Sequence, residues 1–169
     1  MYESYKNIWY YENDLNSLVH SMDDIHLYRT SGMDPNNLLY GRPYDRCAIL
    51  YSKHLKCKLT PVDVGSSRCC AVIMEFPDLT KLLLFNVYMS CDTEHEQENT
   101  QLYIDVLIRI RHIRNNYPDI CNIIMGGDFN TYLTRINSLQ TISLMDYLPP
   151  NEGILLCHEY VGDNVMYIY

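Results

Sequence analysis

Between Asn122 and Thr131 the chain reads Asn-Ile-Ile-Met-Gly-Gly-Asp-Phe-Asn-Thr, and no other stretch limits the possible folds as strongly. Its apolar start suits a strand buried on both faces. Gly126 and Gly127 then break the run; glycine permits backbone dihedrals closed to other residues and lets a ligand approach the main chain. Side chains two apart on an extended backbone point to the same side. Asp128 and Asn130 are therefore expected to face one cleft, with Phe129 turned back into the core. A rigid strand that brings one charged and one neutral oxygen to a hollow suits hard-cation or phosphate chemistry. The same letters also fit a Gly-Gly-Asp turn capped by Asn, because these residues dominate turns for local reasons. A calcium loop does not fit. Leu133 and Leu139 stand where such a loop needs its turn glycine and its bidentate glutamate.

The 169 residues provide for one ordinary core, expected as a single domain over 1–169. With 47% hydrophobic and 20% charged residues the chain reads as globular. A net charge of −8 argues against a general electrostatic grip on nucleic acid, which needs phosphate-neutralising Lys and Arg. It leaves room for a nuclease, since a divalent cation can bridge an acidic protein and an anionic substrate. Seven cysteines, with no C-x-x-C pair, signal neither a disulfide framework nor a zinc ribbon. Several lie in apolar runs, where free Cys behaves as a small hydrophobe. The expected location is therefore inside the cell, in cytosol or nucleus. The polar N-terminus has no signal-peptide core, and no apolar run approaches membrane-spanning length.

Along the chain, Leu15, Leu18, Val19 and Met22 recur at helical spacing between Glu12 and Met22. Ile25 to Arg29 alternates like a short strand, and a loop rich in Ser, Gly, Pro and Asn follows from Thr30 to Pro43. Four strands are expected next, over 46–52, 55–62, 68–76 and 81–89, as antiparallel candidates with short connections, the last two separated by a Pro77-Asp78 turn. From Glu94 to Tyr117 the pattern turns helical, with Leu102, Val106, Leu107, Ile110 and Ile113 on one face and Pro118 as the stop. The strand at Cys121 to Met125 comes next, and a second helix is expected over Asn137 to Tyr147. Short strand-like pieces stand near Ile154 and at Val165 to Tyr169. This order suggests a layered α/β sandwich.

In Phe85-Asn86-Val87-Tyr88-Met89, period two puts Asn86 and Tyr88 on one face. Both side chains can bind a phosphate or steady a leaving oxygen. An Asn-x-Tyr pair is also an ordinary strand end. The loop Tyr40-Gly-Arg-Pro-Tyr44 offers aromatic and cationic groups to nucleic acid, and equally reads as a solvated turn.

The order Gly-Arg-Pro-Tyr, Ala-Ile-Leu-Tyr, Asn-Val-Tyr-Met, Gly-Gly-Asp-Phe-Asn-Thr resembles the endonuclease/exonuclease/phosphatase superfamily. Within it, the chain looks most like the endonuclease domain of LINE-type (non-LTR) retrotransposons. The resemblance implies a deoxyribonuclease-like four-layered α/β sandwich, with mixed, mostly antiparallel sheets flanked by helices. It also implies Mg²⁺-dependent hydrolysis of DNA phosphodiesters, with the metal stabilising charge on the leaving oxygen. Carried over by position, Asp128 orients or deprotonates the attacking water and is the candidate metal ligand. Asn130 contacts the scissile phosphate, and Tyr88 hydrogen-bonds near the reacting phosphate. Asn86 and Thr131 are candidate substrate contacts. DNA is the implied partner, and a fused reverse transcriptase would lie in a longer reading frame.

At other positions the chain departs from that pattern. Asn7 stands where relatives carry a metal-binding Glu, and an amide is a poorer magnesium ligand than a carboxylate. No His follows a Ser-Asp pair, and His158 sits in Cys-His-Glu. Asp45 and Arg46 replace a pair of glycines that relatives usually carry. The expectation is an incomplete sandwich lacking its first strand and its C-terminal strands, with part of the catalytic set. A non-catalytic remnant serving as a binding or structural module is the alternative. A phosphoinositide or other small phosphodiester as substrate ranks last, because no basic or amphipathic membrane-binding patch supports it.

Overall fold

The computed structural model describes residues 24–31, 46–91, 96–131 and 137–148. The helix expected at Glu12 to Met22, Asn7, the Tyr40–Tyr44 loop, His158 and the pieces near Ile154 and Val165–Tyr169 lie outside them. Six strands and two helices are described: β1 Ile25–Ser31, β2 Arg46–Ser52, β3 Lys58–Val62, β4 Cys69–Glu75, β5 Lys81–Tyr88, α1 Glu96–Asn116, β6 Asn122–Asp128 and α2 Leu139–Tyr147. The class is α/β. β1 and β2 form an antiparallel pair, and a mixed four-stranded sheet has the order β3-β4-β5-β6. Its first three strands run antiparallel, while β6 joins β5 in parallel after the α1 crossover. No helix among the described residues is long and apolar enough to cross a membrane.

The alternation along β4 and β5 builds two cores. On one face of the sheet, Cys69, Ala71, Leu83, Phe85 and Val87 pack with Tyr103, Val106, Leu107, Ile110 and Ile113 of α1 and Leu144 and Tyr147 of α2. On the other, Cys70, Val72 and Met74 meet Cys47 and Ile49 of β2. Both inner strands thus bury both faces, which is why they read as near-continuous apolar runs. β3 holds Pro61 in a strand that pairs with β4 alone among the described residues. Proline gives no N–H to a ladder, so it belongs on such a strand. Tyr103 takes the place in the α1 core stripe expected for Leu102, which is exposed. α2 is capped by Ser138, whose hydroxyl accepts from the Thr141 N–H.

β6 differs from the strand expected. It runs through both glycines to Asp128 instead of breaking at Gly126. Among the described residues only one face is covered: Ile123, Met125 and the following Phe129 pack on the helix-side core, while Ile124 on the other face is 45% exposed. The apolar letters are the same either way; what differs is that the two-stranded sheet packs over β4 and β5. β3 starts at Lys58, three residues later than expected.

Three thiols and two phenols sit inside these cores. Burial, with the nearby Cys47 thiol, pushes the Cys69 thiol up, and a hydrogen bond with Cys47 plus burial pushes Cys70 up further. Burial raises the Tyr103 phenol as well. Each of these three holds its proton more tightly in the folded chain, so the unfolded chain deprotonates first as pH rises and stability falls. Thermal melts by circular dichroism are expected to drop steadily above about pH 8.5, where ordinary thiols begin to ionise. A flat melting temperature from there to about pH 10 would contradict this burial.

Candidate functional site

Strand pairing lines up three side chains at one end of the four-stranded sheet. Tyr88 pairs with Asp128 across the parallel β5–β6 ladder. On its other side the Tyr88 N–H donates to the Arg68 carbonyl at 2.9 Å, continuing the β4–β5 register by one residue. Aligned residues in a ladder share a face, with adjacent strands about 4.8 Å apart. Arg68, Tyr88 and Asp128 therefore form a row of guanidinium, phenol and carboxylate. The Arg68 guanidinium carbon stands 5.9 Å from the centre of the Tyr88 ring, within cation–π range.

The next row inward is Cys70, Asn86 and Gly126. Asn86 shares the face of Tyr88, as period two predicts, but its amide reaches across to the two-stranded sheet and donates to the Ala48 carbonyl at 2.8 Å. Gly126 leaves this row open: a methyl group placed there meets nothing within 4 Å among the described residues. With Ile124 exposed one step further, the row Arg68–Tyr88–Asp128 borders an uncovered surface along β6.

Past Asp128 the chain turns sharply. Asn130 adopts φ +45°, so the extended-backbone argument for a face shared with Asp128 does not apply. The two side chains are brought together by a different device. The Asn130 N–H donates to Asp128 Oδ1 at 3.0 Å, an Asx turn that asparagine's tolerance of left-handed backbone makes possible. The Asn130 amide then donates to the Met89 carbonyl at 2.8 Å, and the Met89 N–H donates back to the Asp128 carbonyl at 2.8 Å. The turn is thereby tied to the end of β5 from both strands. Thr131 faces elsewhere, its hydroxyl 2.7 Å from that of Thr141 on α2.

Tyr88, Asp128 and Asn130 are thus gathered where β5 and β6 end, Asn86 lies one row behind, and Thr131 is engaged by a helix. Sequence reading passed over Arg68. The available signal was the antiparallel pairing of two expected strands, which places the residue before Cys69 opposite Tyr88.

Among the described residues no group of three His, Cys, Asp or Glu side chains is placed to hold a metal. The oxygen donors present are the Asp128 carboxylate and the Asn86 and Asn130 amide carbonyls. An oxygen-only set fits Mg²⁺ in kind, since that ion uses one or two carboxylates and completes its shell with water and substrate phosphate. Asp128 Oδ1 accepts from the Asn130 N–H, and the carboxylate keeps further acceptor sites that suit a water or cation. Compared with known proteins, the chain matches no protein-family model and no curated protein.

Proposed function

We propose that this chain is an endonuclease-like domain acting on DNA phosphodiester bonds, similar to LINE-type retrotransposon nucleases and built as part of a four-layered α/β sandwich. The observation that carries the reading is the in-register pair Tyr88–Asp128 with Asn130 folded back onto the Asp128 carboxylate. Asp128 positions and deprotonates the water that attacks phosphorus, Asn130 contacts the phosphate, and the Tyr88 phenol hydrogen-bonds to a phosphate oxygen. A bound Mg²⁺, held by Asp128, would supply Lewis acidity at the leaving oxygen. The fixed Asp128–Asn130 turn supports this role because it sets the carboxylate direction before substrate arrives.

Arg68 adds a cation beside the Tyr88 ring. Arg68→Gln is expected to weaken binding of a duplex oligonucleotide, measured in EDTA by fluorescence anisotropy, similarly for all sequences. The slope of log affinity against log salt should fall by about one. An unchanged slope removes Arg68 from the phosphate contacts.

A second reading, a non-catalytic binding or structural module, draws on the hydrogen bonds themselves. The Asn86 and Asn130 amides are both engaged with backbone carbonyls, as they are in purely structural turns. Mg²⁺-dependent nicking of supercoiled plasmid decides between the two. The nuclease reading expects nicking that EDTA stops, and the module reading expects none.

A further inference from the structure

The buried contact between the two sheets holds a pair of thiols as well as the Asn86–Ala48 bond. Cys47 on β2 and Cys70 on β4 are 3% and 0% exposed and lie in one apolar cluster. Both face the seam where β2 packs on β4. The adjoining polar link repeats this geometry, since Ala48 follows Cys47 and Asn86 pairs with Cys70. Cys69 turns to the opposite face and packs with the helices. Cys57 borders the cluster, half-buried at its edge.

The geometry points to Cys47 and Cys70 as an oxidation site at which a peroxide forms a disulfide between the two sheets. The Cys47 sulfur, the less buried of the two, attacks a peroxide oxygen; the O–O bond breaks, water leaves and Cys47 becomes a sulfenic acid. The Cys70 sulfur then attacks the Cys47 sulfur, the S–O bond breaks and a second water leaves, carrying the remaining thiol proton. Two thiols and one hydrogen peroxide thus give one disulfide and two waters. Burial covers both sulfurs, so the reaction proceeds through openings in which the two-stranded sheet lifts off β4 and β5. Once formed, the bond closes the loop from 47 to 70 and fixes β2 over the row directly behind Tyr88 and Asp128. It constrains the unfolded chain and so raises stability. This inference does not depend on the nuclease reading.

The test treats the full chain with hydrogen peroxide, alkylates remaining thiols, and maps disulfide-linked peptides by mass spectrometry. The expected product links the Cys47 peptide to the Cys70 peptide with the loss of two hydrogens. Its rate should rise about tenfold in urea below the unfolding transition, and the oxidised chain should melt at a higher temperature. Cys57→Ser should leave the link intact, whereas Cys47→Ser or Cys70→Ser should remove it. Should either of those two fail to fold, mapping of the unsubstituted chain gives the same answer. Cys47 and Cys70 found fully alkylated after peroxide in urea, or joined to other cysteines in place of each other, overturns the proposal.

Discussion

Asp128→Ala is expected to reduce Mg²⁺-dependent nicking by at least about a hundredfold, the lower range for losing a positioned general base. The substitution removes the acceptor of the Asn130 N–H, a single hydrogen bond at the sheet's end. A net loss of about 1 kcal/mol in stability follows from that bond, far too little to unfold an ordinary domain. Activity and folding therefore separate in this variant: a nearly unchanged urea midpoint together with lost nicking assigns the carboxylate to chemistry. Asp128→Asn refines the result. An amide oxygen can still accept from Asn130 and hold the turn, but it cannot take a proton from water and binds Mg²⁺ poorly. It should restore the melting temperature and leave the activity absent. Equal nicking by the unsubstituted chain and Asp128→Ala would show that any cleavage comes from elsewhere, and the module reading would then stand.

The periodicity of the sequence carried most of the secondary structure, because β4, β5 and α1 are governed by simple burial. Cys69–Glu75 and Lys81–Tyr88 lie between two cores, so nearly every side chain is apolar and each end is marked by a turn residue. β6 was harder for a physical reason. Ile123 and Ile124 are the same residue type, yet one packs on the helices and the other is largely exposed. Periodicity reports the residue and not what lies above it, and the cover is set by where the two-stranded sheet comes to rest. The Asp128–Asn130 pairing was expected for a reason the structure does not use. A period-two argument assumes extended backbone, whereas the left-handed Asn130 lets the Asx turn form. Both routes put the two residues at one place, which is why the site could be located while its geometry was not. Asn86 was readable only as a polar group on the correct face; its bond to Ala48 depends on how two sheets pack, a contact spanning 38 positions that no local pattern encodes.

The adjacent glycines provide the sharpest test of the β5–β6 register, since they should respond in opposite ways to one methyl group. At Gly127 the backbone has φ +121°, a region closed to L side chains. A Cβ there would lie 2.1 Å from the Val87 carbonyl oxygen and 2.7 Å from both Val87 N and Asn86 Oδ1. Two of those three atoms are backbone of the paired strand, so no rotamer change relieves the overlap. Gly127→Ala must shift β6 away from β5 or change the dihedral, and a loss of more than about 4 kcal/mol is expected, among the larger effects of single substitutions. At Gly126 the same methyl meets nothing within 4 Å among the described residues. Gly126→Ala should be neutral or stabilise by up to about 1 kcal/mol, because it restricts the unfolded chain at no cost in contacts. Urea midpoints of the two variants measure the contrast directly. Tyr88 stays opposite Asp128 only while Gly127 lies against Val87, so the site and the glycine are properties of one strand pairing. If Gly127→Ala unfolds at the same urea concentration as the unsubstituted chain, β6 does not sit against β5 in this register, and the phenol and the carboxylate are not neighbours.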